Sequence, residues 1–296
     1  GDYFGRSVTS IGDLNNDGVE DFAVGAHYAD SKKGAVHILF MNADGTVKNT
    51  AKIDSSALQE IALNIQAQDY FGVSVTSLGD VNNDGVNDLA VGATGYSGSK
   101  GALYILFMKS NGSVESFKRI DPANNNNVLI NDAVNFGYSV ANIGDLDDNG
   151  FDDLAVGAVT GVTGNDDDTG AVYILFMKEG GLVETRVTIN DATVNGLSLS
   201  KADRFGSSVT DIGDVDGDGL NDLAVGAYRS DRGPTDAGTV HILLMDEEGK
   251  VKETVEINGI TVPALGLKKD DYFGVSVANL GDLNNDGFVD LAVGAS

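Results

Sequence analysis

Apolar and polar positions follow one pattern several times along the chain. A run of small and β-branched residues is followed by a segment dense in Asp, Asn and Gly. Two short, almost wholly apolar runs come next, and then a run in which apolar and polar residues alternate. In one copy these are Tyr70–Leu78, Asp80–Asp88, Leu89–Ala93 and Ala102–Met108. Apolar runs this short, bounded by Gly, predict strands covered on both faces rather than helices. The alternating run, as in Glu184–Ile189 and Lys252–Ile257, predicts a half-exposed edge strand. Asn42–Gly45, Ser110–Gly112, Glu179–Gly181 and Glu247–Gly249 read as the hairpin turns between the last two strands. Each copy is therefore expected to form one four-stranded antiparallel sheet.

The copies are regular. Phe-Gly recurs at Phe4, Phe71, Phe136, Phe205 and Phe273, at spacings of 67, 65, 69 and 68 residues. An aspartate stands nine positions after each Phe, and Asp-Leu/Phe-Ala-Val-Gly-Ala begins eight positions later at Asp21, Asp88, Asp153, Asp222 and Asp290. The expected boundaries are about 1–67, 68–132, 133–201, 202–269 and a partial 270–296, within one domain or segment of 296 residues. Repeated four-stranded sheets with buried inner strands and a charged outer strand predict an all-β fold, a β-propeller. A parallel β-helix usually repeats at a shorter period of roughly 20–30 residues, and a sandwich array would show alternation in the inner strands. The fifth copy stops after its second strand. Its missing strands are expected from flanking repeats or from another copy of the chain, with a short five-bladed ring as the alternative. The opening Gly1-Asp2-Tyr3 reads as a trimmed boundary.

The segment between the first and second strands carries the candidate chemistry. Its oxygen-bearing side chains are Asp13, Asn15, Asp17 and Asp21; Asp80, Asn82, Asp84 and Asp88; Asp145, Asp147, Asn149 and Asp153; Asp214, Asp216, Asp218 and Asp222; and Asp282, Asn284, Asp286 and Asp290. These fill positions one, three, five and nine of each loop. Position six is always Gly, and the apolar position seven (Val19, Val86, Phe151, Leu220, Phe288) can offer only its carbonyl. Such a loop supplies five or six of the about six to eight oxygens that Ca²⁺ takes, so about five Ca²⁺ are expected, one per repeat. Mg²⁺, which keeps its waters, fits less well. Position twelve, a bidentate Glu in an EF-hand, is Val24, Val91, Val156, Val225 or Val293 here, which excludes EF-hand and dockerin readings. A plain Asx-rich turn is the competing explanation, weakened by fivefold recurrence of the whole set.

Composition narrows the rest. Asp and Glu number 45 against 19 Lys and Arg, for a net charge of −26. That balance disfavours nucleic acid and anionic membranes as partners. Sixteen of the acids lie in loop ligand positions, so five Ca²⁺ would bring the charge to −16. No apolar run is long enough to span a bilayer, and membrane insertion is not expected. With no Cys there is neither a disulfide nor a thiolate site.

Phe-Gly, the Asp-x-Asn/Asp-x-Asp-Gly-x-x-Asp loop and Leu-Ala-Val-Gly-Ala together resemble the FG-GAP repeat of integrin α-subunit propellers and their prokaryotic relatives, over essentially the whole chain. The resemblance implies a ring of seven blades, Ca²⁺ in loops between first and second strands, and ligand recognition on the opposite face. The chain departs from the family where Gly-Ala-Pro becomes Gly-Ala followed by His27, Thr94, Val159 or Tyr228, and where disulfides are lacking. These departures, with a metal loop in every repeat, point to a prokaryotic surface or secreted protein, where millimolar Ca²⁺ suits such loops.

The expected function is a calcium-stiffened module for adhesion or for recognising a protein or glycan. The alternatives are a structural spacer in a large extracellular protein and an accessory domain of a secreted hydrolase. No nucleophile constellation is legible, and an enzyme is not expected. His37 and His241 stand where Tyr104 and Tyr173 stand in other copies and read as strand packing. Ligand contact is expected from the divergent loops opposite the metal segments, with Tyr28, Tyr96, Asp166, Asp168, Tyr228, Arg229, Arg232 and Asn124 to Asn127. The sequon Asn111-Gly-Ser113 reads as a turn.

Overall fold

The computed structural model describes residues 1–121, 134–160 and 168–296. The first sheet comprises β1 (Val8–Ser10), β2 (Phe22–Gly25), β3 (Ala35–Met41) and β4 (Val47–Asp54) in sequence order. The second repeats this with β5 (Phe71–Gly79), β6 (Asp88–Ala93), β7 (Ala102–Met108) and β8 (Val114–Ile120). The third holds β9 (Val134–Asn142), β10 (Leu154–Thr160), β11 (Ala171–Lys178) and β12 (Leu182–Ile189), and the fourth β13 (Phe205–Asp211), β14 (Leu223–Ala227), β15 (Thr239–Met245) and β16 (Val251–Ile257). A two-stranded sheet, β17 (Val277–Asn279) and β18 (Leu291–Val293), ends the chain. The fold is all-β, of propeller type, and the sheets are not closed.

Two compact units divide the chain: one contains the first two sheets, the other contains the fourth and fifth with most of the third. In the first unit Phe71, Tyr104, Leu106, Ile38 and Leu58 belong to one core. In the second, Ile174, Phe205, Val225 and Leu243 do the same. The apolar second and third strands are buried along their length, as in β6 and β7, whereas β4 is mostly exposed and β16 is half-exposed with no fully buried residue. Burying both faces of an inner strand needs a sheet on each side, and the neighbouring blade provides it.

Phe-Gly makes that contact. The Phe71 amide donates to the Lys33 carbonyl at 2.9 Å, and Phe71 bridges Gly34 in parallel. Phe273 bridges Gly238 in the same way. The Gly of Leu-Ala-Val-Gly-Ala is required sterically at this seam: a Cβ on Gly226 would lie 2.0 Å from the carbonyl oxygen of Gly274, the Phe-Gly glycine of the next repeat. Ser208 seals that seam, its hydroxyl donating to Gly274 O at 2.9 Å. In three repeats the ring facing the Phe comes from that repeat's own third strand. His37 meets Phe4, Tyr104 meets Phe71, and His241, 1% exposed, meets Phe205, at centroid distances of 5.2, 5.7 and 5.4 Å. The histidines thus occupy the packing role expected of them.

Two local features were not expected from sequence. A one-turn helix, Ser55–Gln59, follows β4, capped by Asp54 through the Ser56 and Ala57 amides. The hairpins joining third and fourth strands in the first, second and fourth repeats also carry a bulge. Pairing steps from Phe40↔Asn49 to Met41↔Val47, from Phe107↔Ser116 to Met108↔Val114, and from Leu244↔Glu253 to Met245↔Val251. Lys48, Glu115 and Lys252 are thereby left over, one per hairpin, and a bulge of this kind re-aims a side chain.

Candidate metal centres

All five acidic loops adopt one conformation. The first aspartate closes each loop by accepting from two amides. Asp13 takes those of Asp17 (2.9 Å) and Gly18 (2.7 Å), and Asp282 takes those of Asp286 (3.0 Å) and Gly287 (2.8 Å). Asp80, Asp145 and Asp214 do the same. The turn needs a left-handed residue at position four: Asn16, Asn83, Asp148, Gly217 and Asn285 have φ between 58° and 82°. It needs another at position six, where the glycines have φ of 88–95°. Asn, Asp and Gly are the residues that tolerate this region.

The ninth-position aspartate anchors the loop to the sheet. Asp21, Asp88, Asp153 and Asp222 are fully buried. Each accepts from an amide in its loop and from the last Met of its third strand. For Asp153 these are Leu146 at 3.0 Å and Met177 at 2.8 Å; for Asp88 they are Val81 at 3.2 Å and Met108 at 2.9 Å. Burial, reinforced by neighbouring loop carboxylates, pushes the Asp88 and Asp153 carboxyls up to about 7. Asp290, beside the two-stranded sheet, has only the Leu283 amide at 2.9 Å, and its loop is largely exposed.

The acids gather most tightly in two loops. Among the described residues, Asp145, Asp147 and Asp153 form one group with oxygens within 4.8 Å of one another, and Asp214, Asp216 and Asp218 form the other. In the first loop the acids do not reach that distance, but the Asn15 side-chain oxygen is buried without a hydrogen-bond partner. A buried acceptor lacking a donor, among carboxylates, fits a hard cation better than a plain turn. On that donor chemistry the positions that would hold an ion are one, three, five and nine, with the position-seven carbonyls of Val19, Val86, Phe151, Leu220 and Phe288.

Neighbouring loops are tied together within each unit. The Asn87 side-chain amide donates to Ile11 O at 2.9 Å, and Ile11 N donates to Asp21 O at 3.0 Å. Asn221 repeats this on Ile143 O at 3.1 Å, with Ile143 N donating to Asp153 O at 3.0 Å. A lysine from the fourth strand also enters two of the loops. Lys48 Nζ lies 2.8 Å from Asp17 Oδ2, and Lys252 Nζ lies 2.8 Å from Asp216 Oδ2 and also bonds Asp218. Sequence reasoning missed the asparagine ties, the lysines and the left-handed position four. Only the last left a signal, in the Asn/Asp/Gly restriction itself.

At the other end of the sheets, Tyr28 packs among Tyr3 (4.6 Å), His27 (4.7 Å) and Tyr70 (5.4 Å). Tyr96 lies under the Arg119 guanidinium at 4.6 Å. Asp168 pairs with Arg204 at 3.4 Å, and Tyr228 meets Tyr272 at 5.8 Å. Arg232 donates to Ser198 O at 2.7 Å, and Arg229 is exposed. Asn124 to Asn127 and Asp166 lie outside the described residues.

Asp203 is a further group at this end. It is buried, accepts the Ser200 amide at 2.7 Å, and burial pushes its carboxyl up to about 6. Its folded value exceeds the unfolded one of about 3.9, so the native state binds more protons and stability from this group falls as pH rises from about 4 through 6. Asp203→Asn, which keeps an acceptor without the charge, is expected to gain on the order of 2 kcal/mol over the parent between pH 4 and 7.5. Denaturant melts of both proteins at the two pH values measure it; a parent-to-variant difference that stays constant overturns it.

Comparison with known proteins agrees with this architecture. The FG-GAP repeat model matches residues 4–39, 71–106 and 205–243. Integrin alpha-3 of Cricetulus griseus is 37% identical over 164 residues, 54% of this chain and 14% of that protein. Integrin alpha-5 of Xenopus laevis is 32% identical over 241 residues, and integrin alpha-V of Gallus gallus 32% over 239; each alignment covers 77% of this chain and 20% of the relative. The chain thus spans at most about a fifth of the length of these relatives. They are animal proteins, and the prokaryotic origin expected above gains no support from them. No helix among the described residues is long and apolar enough to cross a membrane. With Phe-Gly seams, acidic first-to-second-strand loops and four-stranded sheets in register with these matches, the chain belongs to the FG-GAP repeat proteins as an integrin-like β-propeller chain.

Proposed function

We propose that each acidic loop takes up one Ca²⁺, about five in all, and that the loaded chain is a rigid adhesion or recognition module working outside the cell. The observation that carries the reading is the fivefold recurrence of one loop conformation with oxygens at positions one, three, five and nine. Ca²⁺ suits this set because it accepts irregular shells of carboxylate, amide and carbonyl oxygens. The ion would neutralise carboxylates that otherwise repel one another. It acts at a distance, as a stiffener of the hairpin that sets the two inner strands.

Contact with a protein or glycan falls to the opposite ends of the sheets, where aromatic and arginine side chains lie among divergent loops. The 228–236 loop is the richest of these, and Arg229 is exposed within it. The second edge of the two-stranded sheet would be covered by further strands, from flanking repeats or another copy of the chain.

A protein and glycan array probed with the Ca²⁺-loaded chain tests the assignment. Tyr228→Ala and Arg229→Ala are expected to weaken capture at least tenfold while leaving the melting temperature within a degree or two. Capture that survives these changes but is lost in Asp84→Ala with added Ca²⁺ would reverse the assignment of ends.

A further inference from the structure

The bulge residue of the last hairpin divides the repeats into two kinds. It is Lys48 in the first, Glu115 in the second and Lys252 in the fourth. The matching position in the third, five residues before the isoleucine that closes the strand, is Glu184. Because the bulge lies beside the Met whose amide holds the ninth-position aspartate, it places this residue next to the metal loop. Lys48 and Lys252 show the consequence. One ammonium bonds Asp17, and the other bonds both Asp216 and Asp218, at positions three and five. Lys48 also stands in the field of Asp13 and Asp21. The first and fourth loops thus contain a tethered cation among their carboxylates. The second and third have an acid at the position from which it comes.

We infer that Lys48 and Lys252 are built-in counter-ions which an incoming divalent cation must displace, so that the repeats load in two classes, the second and third before the first and fourth. This rests on the metal reading above and adds an order of occupancy to it. A carboxylate oxygen holding an ammonium at 2.8 Å is not free to turn to an ion. After displacement the lysine is still tethered nearby and repels the newcomer. Exposed charge pairs are individually weak, so the penalty is a moderate one, about three- to tenfold in dissociation constant per loop. The fourth loop shows the logic most clearly. Its four aspartates, Asp214, Asp216, Asp218 and Asp222, are the largest acid set of any loop, and its lysine bonds two of them. In the ion-free chain the same lysines hold their loops closed, so these hairpins depend less on metal than those of the second and third repeats.

The test is calorimetric titration of the chelator-treated full chain with Ca²⁺ at low ionic strength. The parent is expected to show two affinity classes. Lys48→Met and Lys252→Met keep side-chain length without charge and are expected to tighten the weaker class about three- to tenfold. Lys48→Arg is expected to leave it weak, and Glu115→Lys to move one site from the tighter class to the weaker. Methionine variants with the parent's isotherm, or Glu115→Lys without a shifted site, overturn the inference while leaving the metal reading standing. A parent that takes up no Ca²⁺ overturns both together.

Discussion

Stripping divalent cations from the chain is expected to lower its melting temperature by more than 10 °C, and adding 10 mM Ca²⁺ to restore it. Extracellular loops of this kind hold Ca²⁺ at about 10⁻⁴–10⁻³ M. At 10 mM an ion bound only by the folded chain then adds about 1.4–2.7 kcal/mol per loop. Five independent loops would sum to roughly 7–13 kcal/mol, as much as the whole stability of an ordinary domain. With an unfolding entropy of about 2 cal/mol/K per residue, a chain of 296 residues would shift by roughly 11–21 °C. The exposed fifth loop, whose Asp290 has no third-strand amide to hold it, is expected to contribute least. Scanning calorimetry with chelator and with Ca²⁺ decides the matter. An identical melt in both would leave the loops as ordinary turns.

Asp153→Ala is expected to be the most damaging single change in the loops. Its carboxylate is fully buried and satisfies two backbone amides, those of Leu146 and Met177. Leaving two buried N–H groups without acceptors costs about 1–3 kcal/mol each, so a loss of about 3–5 kcal/mol is expected even in chelator. Asp153→Asn separates this scaffold role from metal binding. The amide keeps one acceptor and leaves one N–H unpaired, a cost that is offset by removing a buried charge, since burial pushes the Asp153 carboxyl up to about 7. In chelator the Asn variant is therefore expected within about 1 kcal/mol of the parent. In Ca²⁺ both variants lose one site and the stability that goes with it. Denaturant melts in both media measure this, and an Ala variant as stable as the parent in chelator would refute the anchoring role.

Much of this protein is legible in its linear pattern. Phe-Gly at a period near 67 residues, two unbroken apolar runs and one alternating run fix four strands, their order and which are buried. They do so because strand burial depends on side-chain pattern alone. The loop chemistry is legible for a similar reason: its ligands lie within nine residues, and a turn that short cannot scatter them. Position six required Gly, and the glycines there have the left-handed φ that explains it.

The partnerships made in the fold span sequence separations that no local pattern encodes. Lys48 reads as a solvent-facing residue of an edge strand, and only the bulge opposite Phe40 and Met41 sends it 31 residues back to Asp17. Asn87 reads as one more turn former, yet it donates to Ile11, 76 residues away. Asp153 reads as a ligand alone, until folding places the Met177 amide against its second oxygen. Tyr70 and Arg204, just before Phe-Gly, take φ of 57° and 61°, a region disfavoured for such side chains and held only by packing around them. In each case the local pattern assigns a residue to its strand or loop. The fold decided its partner, because that partner arrives from a different strand or a neighbouring blade.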